Sequence, residues 1–181
     1  DLKGIIEDVR SELSDTISEK MAVFTINELV PVKIIPFQFR QLICNLISNS
    51  LKFSIPNIEL QITIQSAILK NSEFRKLNLP NSPQICDYWN LTFKDNGIGF
   101  EAHNNQNIFI IFQKLHHVEE YSGTGIGLAI VKKIVDNHNG IIVADGNLKK
   151  GVIFNIYIPI VHNPRSEIVH DLALLKSSSE L

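Results

Sequence analysis

Residues 141–146, "IIVADG", and 152–160, "VIFNIYIPI", are two strand-like runs separated only by a turn at 147–151. A connection that short joins antiparallel neighbours; a parallel pair would need a crossover of a dozen residues or more. The rest of the chain interleaves the two kinds of element. Apolar residues Ile5, Ile6, Val9, Leu13 and Ile17 recur at helical spacing and predict one helix over 1–20. "AVFTINEL" (22–29), the alternating "IELQITIQSAIL" (58–69) and "YWNLTFKD" (88–95) read as strands. A helix is expected over 36–53, with Pro36 suited to its first turn, and another within "GTGIGLAIVKKIVDNHNG" (123–140), closed by Gly140. Interleaved elements with a hairpin at the end argue against a doubly wound parallel sheet. They fit an α+β fold: a two-layer α/β sandwich, its mixed β-sheet of about five strands covered on one face by about three helices.

At 181 residues, with 44% hydrophobic and 20% charged side chains, the chain has the composition of one globular domain with a sizeable core. A net charge of −2 disfavours nucleic acid as a partner, because phosphate neutralisation requires a basic surface. No apolar run reaches the ~20 residues of a membrane span. Cys44 and Cys86 form neither a metal spacing nor a disulfide framework, which suits a reducing, cytoplasmic setting. Residue 1 is Asp, so the chain is expected to be part of something longer, and an anchor elsewhere stays open.

The segment "NLISNSLKFS" (45–54) carries two asparagines one turn apart inside the helix predicted over 36–53. Asparagine disfavours helix interiors because its amide competes for backbone hydrogen bonds. At about 100° per residue, Gln41, Asn45, Ser48, Asn49 and Lys52 share a narrow polar arc. Phe39, Leu42, Ile43, Leu46, Ile47 and Leu51 share the broad opposite side. A solvated face is the ordinary reading of such an arc. Its amide richness admits another: amide oxygens suit Mg²⁺, which takes one or two protein ligands beside waters and phosphates, and a lysine one turn on suits phosphate.

Two glycine clusters follow. "DNGIGF" (95–100) closes a strand and reads either as a plain turn or as a place where backbone meets a flat ligand. In the second reading Asp95 accepts a hydrogen bond from an exocyclic amine. Gly123-Thr-Gly-Ile-Gly127 stands before a helix, where backbone N–H groups and the helix dipole favour an anion; a flexible hinge is the alternative. The G-x-x-x-x-G-K-[ST] loop and the H-R-D and D-F-G pair are absent. Residues 97–102 match a relaxed dinucleotide fingerprint, G-x-G-x-x-A, but "HNNQN" follows where a helix should open. A nicotinamide-dependent oxidoreductase is therefore a rival of a different class.

Taken in order, "NLISNSLKFS", "DNGIGF" and "GTGIGLAIVKKIV" resemble the N box and two glycine boxes of the catalytic ATP-binding domain of sensor histidine kinases. "IFIIFQKL", with Phe109 and Phe112, is similar to that family's phenylalanine box, and "KKGVIFNIYIP" to its closing strand. The phrase "IFQKLHHVEEYSGTGIGLAIVKKIV" is most similar to phytochrome-like and hybrid-sensor kinases. The resemblance implies the Bergerat (GHKL-like) ATP-binding fold over 1–163, with 164–181 as a tail or linker. It implies ATP and Mg²⁺ as ligands. Asn49 would hold the metal, and Asn45 and Lys52 the phosphates. Asp95 would read the adenine amine beside Gly97 and Gly99. Gly123, Thr124, Gly125, Gly127 and Leu128 would shape the phosphate loop and the end of a lid over about 101–122. Lys114 would reach the γ-phosphate, a place more often taken by arginine.

The implied activity is transfer of the γ-phosphoryl group to a histidine on a separate dimerisation helix of the same protein, feeding a downstream response regulator. Related hydrolytic ATPases carry glutamate where Asn45 stands. Asparagine is no general base, so slow ATP hydrolysis is expected. His116 and His117 fall in the lid segment, and His170-Asp171 in the tail lacks the flanking pattern of an acceptor, so self-phosphorylation is not expected. The alternative within the family is a degenerate, non-catalytic nucleotide-binding module. The connection over 71–87 is longer than the fold needs and carries no functional reading.

Overall fold

The structure, a computed structural model, describes residues 1–79, 86–105, 107–110 and 125–160. Helix α1, Leu2–Glu12, opens on Asp1, whose carboxylate accepts the Gly4 N–H at 3.0 Å, and buries Leu2, Ile6 and Val9. The single helix expected over 1–20 is broken at Leu13, and a short α2, Ser14–Glu19, follows. Ser11, Ser14, Asp15 and Thr16 crowd the break, and their side chains favour caps and turns over helix interiors.

Strand β1 is Val23–Ile26, α3 is Pro36–Lys52 and β2 is Gln61–Leu69; β1 and β2 run parallel. A four-residue α4, Asn71–Phe74, and a 3₁₀ turn, Arg75–Leu77, begin the long connection to β3, Tyr88–Asp95. Two more 3₁₀ turns, Ala102–Asn104 and Asn107–Phe109, precede α5, Gly127–Asn137. The chain then enters the predicted hairpin, β4 (Ile141–Asn147) and β5 (Gly151–Pro159). The sheet order is β1-β2-β3-β5-β4, with every pair but the first antiparallel. The expected mixed five-stranded sheet is therefore present.

Register explains how the core forms. Ile64, Phe93, Phe154 and Ala144 lie in one cross-strand row, and Ser66, Leu91, Ile156 and Ile142 in the next. All eight are buried on the face that meets the helices. Helix α3 lies between α1 and α5 and sets Phe39, Leu42, Ile43, Leu46 and Ile47 into that core. Burial of each large side chain contributes roughly 1.5–3 kcal/mol.

The opposite face of the sheet is polar at its centre. Thr92 Oγ1 donates to Asn155 Oδ1 at 2.9 Å, and Asn90 Nδ2 donates to Thr92. One end of that face is covered by the long connection. The Phe74 ring stacks on Tyr88, with centroids 3.7 Å apart, and meets Tyr157 edge-on at 5.3 Å. Leu79 and Cys86 pack beside them, and Lys70 pairs with Asp87 at 2.8 Å at the base of the connection. The segment without a reading in the sequence thus has a structural one.

Candidate functional site

Helix α3 and the start of α5 come together along the amide arc. A Cβ placed on Gly127 would lie 3.0 Å from Asn45 Oδ1 and 3.9 Å from Asn49 Nδ2. The Asn45 amide donates to the Gln41 carbonyl one turn back at 2.9 Å, so its oxygen is the end turned toward α5. Among the described residues no side chain caps α5 at Ile126, and Gly125, at φ +69°, turns the chain into it. The uncapped first turn therefore offers backbone N–H groups opposite two side-chain amides. Lys52, in the last turn of α3, holds its Nζ 4.8 Å from the Phe53 ring centroid. Leu128 packs against the core.

Asp95 ends the central strand β3 and is only 6% exposed. Its Oδ2 accepts the Ser50 hydroxyl at 2.7 Å and its Oδ1 accepts the Gly97 N–H at 2.9 Å. Burial pushes the Asp95 carboxyl above the usual range, while hydrogen bonds from Ser50, Gly97 and the Val152 backbone pull it down. Ser50 lies on α3 one residue past Asn49, so the carboxylate and the amide arc are joined through one helix.

The turn after Asp95 is seated on backbone. Ile98 N–H donates to the Phe53 carbonyl at 2.9 Å, just beyond α3, and a Cβ on Gly97 would lie 2.6 Å from that oxygen. Gly99 adopts φ +62°, and a Cβ there would strike the Asn147 carbonyl. Lys149 N–H donates to the Ile98 carbonyl at 2.8 Å, which ties the turn to the β4–β5 hairpin. Asn96 accepts the Gln61 N–H and donates to the Glu59 carbonyl, fixing the entry to β2.

Of the residues expected at the site, Asn45, Asn49, Asp95, Gly97 and Gly127 are brought together around α3. Lys52 lies one turn beyond Ser48 on the same arc. Lys114, Gly123 and Thr124 lie outside the described residues, as do Phe112, His116, His117 and the tail from 164. Ser50 had no place in the sequence reading. Its signal was a hydroxyl on the apolar side of the helix, one turn from Leu46 and beside Leu51. Among the described residues no group of three His, Cys, Asp or Glu gathers as a metal site, and no helix is long and apolar enough to cross a membrane.

The chain is similar to known proteins. The family described as "Histidine kinase-, DNA gyrase B-, and HSP90-like ATPase" matches residues 35–162. Cyanobacterial phytochrome A of Nostoc sp. and phytochrome-like protein Cph1 of Synechocystis sp. are each 32% identical over 160 residues, 88% of this chain. The chain spans 19% of the length of each. The mycobacterial sensor histidine kinase MprB shares the fold at a TM-score of 0.63 and 19% identity, covering 88% of this chain and 94% of that one. ShkA, solved at full length in complex with AMPPNP, shares it at 0.65 and 20% identity, covering 90% of this chain and 31% of that one. The chain therefore belongs to the histidine kinase-, DNA gyrase B- and HSP90-like ATPase family.

Proposed function

We propose that this domain binds Mg-ATP between α3 and the start of α5 and passes the γ-phosphoryl group to a histidine on a separate helical module of the same protein. A response regulator would be the next acceptor, and the setting would be cytoplasmic. The observation that carries the reading is the approach of Asn45 Oδ1 and Asn49 to Gly127, beside a buried carboxylate at the end of β3. One end of that cleft suits phosphates and the other a base.

The donor set fits a hard cation. Mg²⁺ needs only one or two protein oxygens when phosphates and water complete its shell, and the Asn49 amide can supply one. Bound there, the ion would neutralise charge on the phosphate oxygens. The chain's own residues do the rest. Backbone N–H groups opening α5 hold phosphate, Lys52 adds positive charge, and Asp95 orients the base through its amine. Lys114, Gly123 and Thr124 are assigned to the γ-phosphate side on the family resemblance alone. Phosphoryl transfer needs chiefly positioning and charge stabilisation, and this constellation can provide both. Asn45 offers no proton acceptor comparable to a carboxylate, which favours transfer to histidine over hydrolysis.

Titrating the chain with a non-hydrolysable ATP analogue, with and without Mg²⁺, tests the binding half. Micromolar affinity that weakens without the metal supports it; absence of binding in both arms returns the reading to a non-catalytic module. Incubating the chain and γ-labelled ATP with the histidine-bearing helices of its own full-length protein tests the transfer half. Label should appear on those helices and not on His170.

A further inference from the structure

We infer that Ser50 is a positioning residue for base recognition, holding the Asp95 carboxylate in the orientation and ionised form that accept the exocyclic amine of adenine. The inference rests on the reading of Asp95 given under Proposed function.

A carboxylate has about four lone-pair sites. Two donors from two different elements converge on Asp95: the Ser50 hydroxyl from α3 on Oδ2 and the Gly97 N–H from the turn on Oδ1. That leaves acceptor capacity on the carboxylate for a ligand. The side chains of Ser50 and Asp95 are both almost wholly removed from water, at 2% and 6% exposure. A buried carboxylate tends to take up a proton, and a protonated Asp95 would present a donor where adenine also presents one. The short Ser50 bond opposes that. Charge-assisted hydrogen bonds are among the stronger ones, and Ser50 is the only side-chain donor to this carboxylate among the described residues.

Ser50 can also serve the other protonation state. Its Oγ stands 3.2 Å from the Leu46 carbonyl as well as 2.7 Å from Asp95. With one proton to give, the hydroxyl donates to the carboxylate when Asp95 is ionised. When Asp95 is protonated, the hydroxyl accepts from it and turns its own proton to Leu46. Alanine at this position would remove both arrangements while favouring the helix.

The test compares the wild-type chain with Ser50→Ala, using non-hydrolysable analogues of ATP and of inosine triphosphate, whose base has a carbonyl in place of the amine. Affinities are measured from pH 5 to 8. Ser50→Ala should weaken the ATP analogue about tenfold at pH 7.5, the effect of about 1.4 kcal/mol. Inosine-analogue affinity should change less than twofold. The midpoint at which ATP-analogue binding fades on acidification should move to higher pH. Equal losses for both nucleotides, or an unmoved midpoint, would overturn the inference while leaving nucleotide binding intact. A wild-type chain that holds both analogues equally would instead refute base reading by Asp95 itself. If Ser50→Ala unfolds, Ser50→Cys, nearly isosteric with a weaker donor, should give the same pattern at smaller size.

Discussion

Ile35 N–H donates to His138 Nε2 at 3.0 Å, across 103 positions of sequence. Nε2 can accept only in a neutral ring, so Nδ1 carries the proton and donates to the Ile134 carbonyl at 2.8 Å. The ring also meets Phe39 edge-on at 5.0 Å. His138 thereby fastens the C-terminal end of α5 to the N-terminal end of α3. The approach of Asn45 to Gly127 lies at the other end of α5, roughly 16 Å away at 1.5 Å per residue. The helix pair is pinned at one end and presents its polar groups at the other.

Replacing the pin should cost stability. His138→Ala leaves the Ile35 N–H without its acceptor and removes the packing on Phe39. A loss of about 1–3 kcal/mol is expected in denaturant unfolding. The ATP analogue should bind more weakly as the two helices lose alignment. A variant as stable as wild type would show that the imidazole link is incidental.

Asp95 should make stability depend on pH in a definite direction. Burial raises its pKa, so the folded chain keeps a proton that the unfolded chain has already released. This contribution is fully present below the unfolded pKa. It declines as pH climbs through the raised folded value and is level above it. Asp95→Asn abolishes the decline, since Ser50 can reverse its hydroxyl to accept from the new amide. Urea unfolding from pH 4 to 8 should show wild type losing stability relative to Asp95→Asn as pH rises. The same variant should lose at least tenfold in ATP-analogue affinity. Parallel stability curves would contradict the assignment.

Gly97→Ala should be costly beyond any loss of turn flexibility. The new methyl would meet the Phe53 carbonyl at 2.6 Å, and that oxygen is already engaged by Ile98 N–H. Forcing the two apart should cost about 1–3 kcal/mol and displace the Gly97 N–H from Asp95. Thermal melting and analogue titration should both record the damage. A change in affinity alone would mean the glycine serves the ligand only.

Asn49→Ala is expected to leave the fold standing, because the side chain is only half-buried and alanine suits a helix. Its effect should fall on the metal. The gain in ATP-analogue affinity that Mg²⁺ gives the wild-type chain should shrink to less than twofold. Affinity measured in a chelator should change little.

Much of this was readable from periodicity. The eight residues "YWNLTFKD" coincide with β3, and the helix expected over 36–53 differs from α3 by one residue. The spacing of apolar side chains marked both, at the period of a helix in α3 and of a strand in β3. The opening helix was misjudged because its apolar repeat runs unbroken past Leu13, while the local cost of Ser14, Asp15 and Thr16 decides the backbone. The site was legible as motifs but not as contacts. Asn45, Asn49, Asp95 and Gly97 carry local signatures. The bond from Ser50 to Asp95 spans 45 positions, and the Phe53 carbonyl beneath Gly97 spans 44, so neither leaves a trace in spacing. The connection at 71–87 was opaque for the same reason: Phe74 has meaning only beside Tyr88 and Tyr157.

Those three rings stand or fall as a set. A related chain with a minimal connection would leave the two tyrosines facing water, where threonine or asparagine, already used at Thr92 and Asn155, would serve better. Length in that connection and aromatic character at positions 88 and 157 should therefore be inherited together, whatever becomes of the helix-covered face of the sheet.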